Sequence, residues 1–370
     1  MVINFGEAFV PLQYVTPVLK TSSHAKRTSP TASLILGSSL HDSIPFPIAN
    51  PILSLNQSPV MSGKPVIGLL GGGQLGRMLQ EQAALIGVEI VVLDEANCPT
   101  RQINQSDKHV TGSFKDPEKI RELARKCDVL TVEIEHINTE ILEEIATKGV
   151  EVDGGKVKKV AVHPSWETLR LIQDKYLQKE HFSRAGMPVA PQMAIESGAG
   201  LPDSLRKAAE AYGYPFMVKA RLGSYDGRGN FKVDGPADLD EVVSVMGKLS
   251  LYAEKFQPFV KELAVMVVRT EDDAGNLKDV YAYPAVETVH EESICTKVFY
   301  PPRGVQADVS EKARKVASDV IRTLKGRGVF AVEMFLLEDG TFTLRCPLTN
   351  SVILTLYPGR IVINEVAPRP

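Results

Sequence analysis

The stretch Phe216-Met-Val-Lys-Ala-Arg-Leu-Gly-Ser-Tyr-Asp-Gly-Arg-Gly-Asn-Phe-Lys-Val233 constrains this chain more than any other. Apolar residues carry a strand up to Lys219, a loop containing Gly223 and Ser224 follows, and Asp226-Gly-Arg-Gly229 turns the chain back into a strand at Phe231. A lysine delivered from a strand beside a glycine-rich flap suits a nucleoside triphosphate. The lysine supplies a compact positive charge, and the glycines let backbone N–H groups approach phosphate oxygens with no Cβ in the way. A Walker loop is a different device, running from a strand into a helix. Its G-x-x-x-x-G-K-[ST] pattern does not occur here.

At 370 residues the chain is long enough for two or three domains. Apolar residues at 44% and charged residues at 24% are ordinary for a soluble globular protein. A net charge of -3 gives no reason to expect nucleic acid or an anionic membrane as partner. Cys98, Cys127, Cys295 and Cys346 are scattered, which fits buried thiols in a reducing compartment better than disulfides or a zinc site. No apolar run approaches a membrane span. The expectation is a soluble, cytoplasmic, multidomain protein.

Residues 1–61 stand apart. They are rich in Ser, Thr and Pro, and Glu7 and Asp42 are their only acids. Lys20, Lys26 and Arg27 hint at a transit peptide, but the repeated arginines of a presequence are missing. Disordered or spuriously included sequence is the preferred reading, with the working protein starting at Met61. From residue 66 strand and helix alternate: an apolar run at 66–70, helical spacing from Leu75 to Ile86, a strand at 89–93, a helix around Ile120 to Cys127 and a strand at 129–134. That alternation predicts a parallel sheet with helices on its faces, a Rossmann-like α/β domain over 62–163. After a linker at His163-Pro164 the pattern predicts a polar helix over 168–185, the grip strands, and helices near 239–249 and 310–325. Mixed strands are expected over 264–285 and another strand at 329–337. Residues 164–370 read as an α+β domain.

Gly71-Gly-Gly73-Gln-Leu-Gly76 matches G-x-G-x-x-G between strand and helix, and Asp94 ends the next strand. Read alone, this is a dinucleotide site. Its physical content is only a tight turn whose amides and helix dipole favour an anion, so a phosphate on a sugar satisfies it equally. The plainer alternative is that the glycines let helix and sheet pack closely. Phosphate binding is favoured over both, because the grip at Lys219 has no role in a dehydrogenase.

Magnesium on a triphosphate is held by one or two protein acids plus water. Val329-Phe-Ala-Val-Glu333-Met-Phe places an acid inside an apolar strand, where a cation or donor must compensate it. Ile363-Asn364-Glu365-Val-Ala-Pro-Arg369 repeats the arrangement with an amide beside it and a guanidinium beyond. Two such acids together with Lys219 favour a metal over a buried salt bridge. Glu254 and Glu262 flank a strand-like stretch at 256–261. Glu254 is placed where the chain crosses between domains and can meet a sugar or base edge; a solvated acid is the plainer reading of Glu262.

These residues resemble the ATP-grasp superfamily, and more closely the ATP-dependent N5-carboxyaminoimidazole ribonucleotide synthetases of purine biosynthesis, the front half of fungal phosphoribosylaminoimidazole carboxylases. The resemblance runs from about Lys64 to Pro370 and rests on Gly71-Gly-Gly-Gln-Leu-Gly-Arg-Met78, Gly223-Ser-Tyr-Asp-Gly-Arg-Gly229 and Asn364-Glu-Val-Ala-Pro-Arg-Pro370. The formate-dependent glycinamide ribonucleotide transformylases share the first motif but typically carry Ser-Ser-Gly-Lys-Gly in the grip.

The resemblance implies that 62–163 is a pre-ATP-grasp substrate domain and 164–370 an ATP-grasp domain with its lid at about 189–252. It implies ATP and Mg2+ as cofactors, with ATP, bicarbonate and aminoimidazole ribonucleotide as substrates in a homodimer. Bicarbonate is phosphorylated to carboxyphosphate, whose carboxyl group passes to the exocyclic amine. Lys175 and Lys219 are expected on the ATP phosphates under the flap residues Gly223, Ser224, Tyr225, Gly227 and Gly229. Glu254, Glu262 and Asn364 complete the ATP site, and Glu333 with Glu365 binds metal. Asp226, Arg228 and Arg369 are expected at the acceptor end. Gly73, Gln74 and Leu75 take the ribonucleotide phosphate, with Glu135 and His290 near the substrate.

Two departures from the family pattern stand out. About nineteen extra residues at 342–360 separate the two metal acids and are expected to interrupt their hairpin. A translated intron or a tolerated surface loop accounts for them, the former preferred. Family members also continue beyond the position of Pro370 with a His-Asn-Ser-Gly-His stretch and a small C-terminal domain. The expectation is therefore an incomplete chain, poorly active or inactive. Another ATP-grasp ligase and a nucleotide-binding remnant are the competing readings.

Overall fold

The structure, a computed structural model, describes residues 2–4, 63–223, 229–291, 294–337 and 361–370. The expectations for most of 1–61 and for 342–360 lie outside these residues. Strand–helix alternation gives a five-stranded parallel sheet. Its strands are β1 (Ile67–Leu70), β2 (Ile90–Asp94), β3 (Val110–Thr111), β4 (Val129–Val132) and β5 (Ala161–Val162), in the order β3-β2-β1-β4-β5. Helices α1 (Gln74–Leu85), α2 (Pro117–Lys126) and α3 (Thr139–Lys148) connect them. Asp116 and Asn138 start α2 and α3 by accepting bonds from the amides two and three residues on. Leu70, Val91, Leu93, Ile120, Leu123, Leu130 and Leu142 form the core, each contributing about 1.5–3 kcal/mol of burial.

The helix expected over 168–185 is two helices, α4 (Trp166–Gln173) and α5 (Lys175–Arg184). They part at Asp174, whose carboxylate accepts from the Tyr176 and Leu177 amides at 3.0 Å. A short acid side chain offering the backbone a local partner competes with helix continuation.

A four-stranded antiparallel sheet follows: β6 (Gln192–Ala194), β7 (Phe216–Ala220), β8 (Asn230–Val233) and β9 (Leu251–Lys255), ordered β8-β7-β9-β6. Helices α6 (Leu201–Tyr212) and α7 (Asp238–Met246) share its core. Phe216, Val218 and Ala220 point into that core, so the period of two puts Met217 and Lys219 on the other face.

A larger antiparallel sheet is built on β10 (Phe259–Glu271), which pairs with β11 (Leu277–Ala282), β12 (Val286–Glu291) and β14 (Gly328–Leu337). Strand β13 (Ile294–Phe299) extends it from β12 and β15 (Ile361–Arg369) from β14. Val2–Asn4 pairs with residues 297–299 at one edge. Helix α8 (Ala307–Arg322) packs on this sheet through Val316, Val320 and Ile321 against Val265, Val267, Phe330 and Val332. Residues 256–261 are not one strand: β9 ends at Lys255, β10 begins at Phe259, and 256–258 carry the chain between sheets. Among the described residues no helix is long and apolar enough to cross a membrane.

Candidate active site

A cavity of about 690 Å³ opens between the lid sheet and the larger sheet. Met217, Lys219, Tyr252 and Glu254 line it from the lid, and Phe256 and Gln257 from the crossing. Glu262, His290, Glu333, Phe335, Asn364, Glu365 and Arg369 line it from the larger sheet, Glu135 from the loop after β4, and Lys175 from the start of α5. Ten of the residues singled out from sequence therefore converge on one space: Glu135, Lys175, Lys219, Glu254, Glu262, His290, Glu333, Asn364, Glu365 and Arg369.

The cations are held by acids. Lys175 Nζ lies 2.8 Å from Glu365 Oε1 and 3.7 Å from Glu135 Oε1. Burial works against its charge, but Glu365 and Glu135 outweigh burial and raise its pKa. Lys219 Nζ donates to Glu254 Oε1 at 3.2 Å, and Lys179 donates to the other oxygen, Oε2. Both oxygens of Glu254 are thus occupied, and the residue is 3% exposed. Its carboxylate bonds two lysines and lines the cavity. Burial opposes ionisation of Glu254, and Lys179 and Lys219 override it to hold its pKa low. Lys179 was not foreseen, although Lys175-x-x-x-Lys179 places both ammonium groups on one helix face.

Arg221 clamps Asp174 with Nη2–Oδ2 at 2.6 Å and lies 5.0 Å from the Tyr176 ring. The Lys175 amide donates to Arg221 O at 2.9 Å. The break at Asp174 is thereby tied to the end of the grip strand, which fixes Lys175 relative to Lys219.

Glu333 and Glu365 face each other directly across β14 and β15. The two strands pair from Val329 opposite Arg369 to Leu336 opposite Ile361, so Glu365 does stand beside Glu333, while the inserted residues between them lie outside the described residues. One register shift falls beside Glu333, where Glu365 is followed in the ladder by Ile363. Asn364 is the extra residue of that bulge. Neighbours in a regular strand face opposite ways; the bulge re-aims one of them, so Asn364 and Glu365 both line the cavity. Burial and then the charge of Glu365 raise the Glu333 pKa to about 7, only partly offset by Arg369, whose Nη2 is 3.7 Å away. Burial also opposes ionisation of Glu365, but Lys175 outweighs it and keeps the pKa low. One acid is compensated and its partner is short of positive charge, an arrangement that fits a divalent cation carried with phosphates. Among the described residues no cluster of three or more His, Cys, Asp or Glu is poised for a metal.

Glu262 is not a solvated surface acid: His290 Nδ1 lies 2.5 Å from its Oε2 and has its pKa raised by that contact. Beside them Phe259 and Phe335 stack at 4.3 Å with planes 12° apart, giving with Met217 and Phe256 an apolar wall. Gly223 and Gly229 mark the flap base in the left-handed region (φ +69° and +89°), where glycine is favoured. Ala220 N donates to Gly229 O at 2.7 Å. Ser224, Tyr225, Asp226, Gly227 and Arg228 lie outside the described residues.

The glycine fingerprint is not part of this cavity. Gly73, Gln74 and Leu75 start α1, but the anion at that helix end is the protein's own. Glu133, 6% exposed, accepts from the Gly73 amide at 2.5 Å and the Gly76 amide at 3.1 Å, while Asp94 accepts from the Gly72 amide at 2.6 Å. A Cβ on Gly73 would stand 2.7 Å from Glu133 Oε1, and one on Gly72 2.6 Å from Cys98 Sγ. Close packing of this kind is what the plainer reading of these glycines requires, and Asp94 bonds the Gly72 amide.

A lysine on one antiparallel sheet facing paired acids on a second sheet across a cavity is the arrangement expected of an ATP-grasp protein. The chain belongs to that family: residues 180–370 match the ATP-grasp domain and residues 65–173 the ribonucleotide synthetase preATP-grasp domain. It is similar to the carboxyaminoimidazole ribonucleotide synthase of Aspergillus clavatus, whose crystal structure complexed with ATP superposes with a TM-score of 0.70 at 41% identity, over 83% of this chain and 70% of that one. The N5-carboxyaminoimidazole synthase structure from the same organism, in complex with ADP and 5-aminoimidazole ribonucleotide, gives 0.69 at 40% identity over 83% and 70%. The phosphoribosylaminoimidazole carboxylase of Ogataea methanolica is 44% identical over 305 residues, 82% of this chain and 49% of that protein. The chain thus spans about half the length of such fungal carboxylases.

Proposed function

We propose that the chain carries the ATP- and bicarbonate-dependent carboxylation of 5-aminoimidazole ribonucleotide to its N5-carboxy form, a step of purine biosynthesis. The observation that carries this reading is the convergence of Lys175, Lys219, Glu333 and Glu365 on one cavity with an aromatic wall. The ring wall takes adenine, with Glu262 and Gln257 at the ribose side. Lys175 and Lys219 take the phosphates beneath the flap at 223–229. Glu333 and Glu365, with Asn364 beside them on the nucleotide, would hold magnesium, which would neutralise charge on the transferring phosphoryl group.

A bicarbonate oxygen attacks the γ-phosphorus and ADP leaves, forming carboxyphosphate. The exocyclic amine then takes the carboxyl group as phosphate departs, and the amine loses a proton. The chain's part is positioning and charge neutralisation, without a covalent nucleophile. Asp226 and Arg228 on the flap, with Arg369, serve the acceptor end, and Asp226 orients or deprotonates the amine. Glu135 and His290 stand near the substrate. Of the glycine loop, exposed Gln74 and Leu75 are the part open to the ribonucleotide phosphate; the Gly73 amide is not. The reading extends to a cytoplasmic homodimer with its substrate domain at 62–163 and lid at about 189–252, acting on small molecules without nucleic acid or membrane.

The test is ADP release by the purified chain with magnesium, bicarbonate and aminoimidazole ribonucleotide supplied singly and together. Release that needs both substrates supports the reading. Stimulation by a different acid or amine makes the chain another ATP-grasp ligase, and ATP binding without turnover makes it a nucleotide-binding remnant.

A further inference from the structure

Lys179 has no part in the reaction just described. It lies one turn beyond Lys175 on α5, is 2% exposed, and does not line the cavity. Its ammonium bonds one oxygen of Glu254 while Lys219 takes the other. We propose that Lys179 is a positioning residue for the nucleotide: by satisfying Glu254 it leaves Lys219 as the uncompensated cation presented to the phosphates. The proposal rests on the ATP reading and deepens it.

Two ammonium groups and one carboxylate sum to +1 at pH 7, where Lys179 still holds its proton although burial lowers its pKa to about 8. With Lys179 gone, Glu254 and Lys219 become a neutral pair, and the carboxylate, freed on one side, draws Lys219 inward as a bidentate partner. The cavity would keep the lysine but lose its surplus charge. Stability alone gives no reason for such an arrangement, because burying three charged groups costs desolvation that apolar residues of the same size avoid. The backbone fits the assignment. Met217 stands opposite Glu254, and Lys219 opposite Tyr252, in adjacent strands of the lid. Glu254 is therefore two residues along from the partner of Lys219, within reach of its tip, and α5 supplies Lys179 to the far oxygen.

Calorimetric titration of magnesium-ATP into the full 370-residue chain tests this, with thermal melting to verify folding. Lys179→Met should weaken ATP about tenfold or more, as expected for one charge lost at close range in a partly buried site. Lys179→Arg should hold most of the affinity. The double variant Lys179→Met/Glu254→Gln, which removes both members of the compensating pair, should recover ATP binding, since Lys219 is again unpaired. Adenosine, which has no phosphates, should bind all of them alike. If Lys179→Met does not fold, Lys179→Gln carries the same comparison. Unchanged ATP affinity in the single variant, no recovery in the double variant, or parallel loss of adenosine overturns the proposal. A wild-type chain that binds no ATP overturns the functional reading itself, and shows it before any variant is made.

Discussion

The start of α1 and the cavity beside Lys219 differ in how their charges are paired. At the start of α1 the amides of Gly72, Gly73 and Gly76 meet the carboxylates of Asp94 and Glu133, so the positive helix end is satisfied from within. At the base of the flap Lys219 shares one carboxylate with a second lysine, and across the cavity Glu333 faces another acid with Arg369 at 3.7 Å. The first turn is closed, its amides already paired with the protein's own carboxylates. The second keeps unbalanced charge of both signs on facing walls, which a magnesium nucleotide would neutralise. The glycine pattern alone does not separate them; the charge left over after internal pairing does.

The strongest way to break the comparison is Lys219→Ala. On the proposed ATP reading, removing this cation should lower ATP-dependent turnover by about 100-fold or more, the scale seen when a preorganised charge donor is removed. The melting temperature should change little, because Lys219 points away from the lid core. ADP release at saturating aminoimidazole ribonucleotide checks it, and near-normal turnover would place the phosphates elsewhere.

Glu333→Gln comes next and should move activity and stability in opposite directions. The folded-state pKa of Glu333 is raised to about 7 from an ordinary 4.5. The folded chain therefore holds this proton more tightly than the unfolded chain, and stability falls as pH rises between those values. Above pH 7 the ionised acid carries its full penalty. At pH 8 the variant should thus melt higher than the parent, by roughly 1–3 kcal/mol in stability, and below about pH 4 the advantage should vanish. Magnesium-dependent ADP release should be lost. A variant that melts lower at pH 8 would mean that Glu333 is already compensated.

The contrast between the two regions was partly legible in the sequence. An acid inside Val329-Phe-Ala-Val-Glu333-Met-Phe and another after Ile363-Asn364 announce themselves, because apolar neighbours make a carboxylate expensive. The parallel sheet was legible for a similar reason, since buried strands read as apolar runs. What stayed hidden depends on pairing between distant residues. Nothing local shows that Glu133 reaches back to Gly73, sixty residues earlier, or that Glu254 is shared by Lys179 and Lys219. The bulge at Asn364 is set by the register with β14, and the helix break at Asp174 by its own capping together with Arg221.

Gly73→Ala sharpens the closed side of the comparison. The added methyl would stand 2.7 Å from Glu133 Oε1, so the carboxylate must shift off its amides. The cost should be about 1–3 kcal/mol, read as a lower denaturation midpoint, while ATP affinity per folded molecule stays as it was. A loss of ATP affinity with stability unchanged would instead join this loop to the nucleotide site.

The smallest effect belongs to Glu133→Ala, and it asks whether the closed turn is an anion site at all. Removing the carboxylate leaves the Gly73 and Gly76 amides at the end of a twelve-residue helix with their internal acceptor gone. Unsatisfied amides should destabilise the variant by about 1–3 kcal/mol. Inorganic phosphate can then enter the vacated place, and mass action returns about 1.4 kcal/mol at ten times its dissociation constant. Phosphate should therefore raise the melting temperature of the variant while leaving the parent nearly unmoved, because Glu133 excludes it there. An equal response in both proteins would put the phosphate elsewhere. No response in either would leave close packing as the whole purpose of these glycines, and the difference between the two turns would then be one of geometry as well as charge.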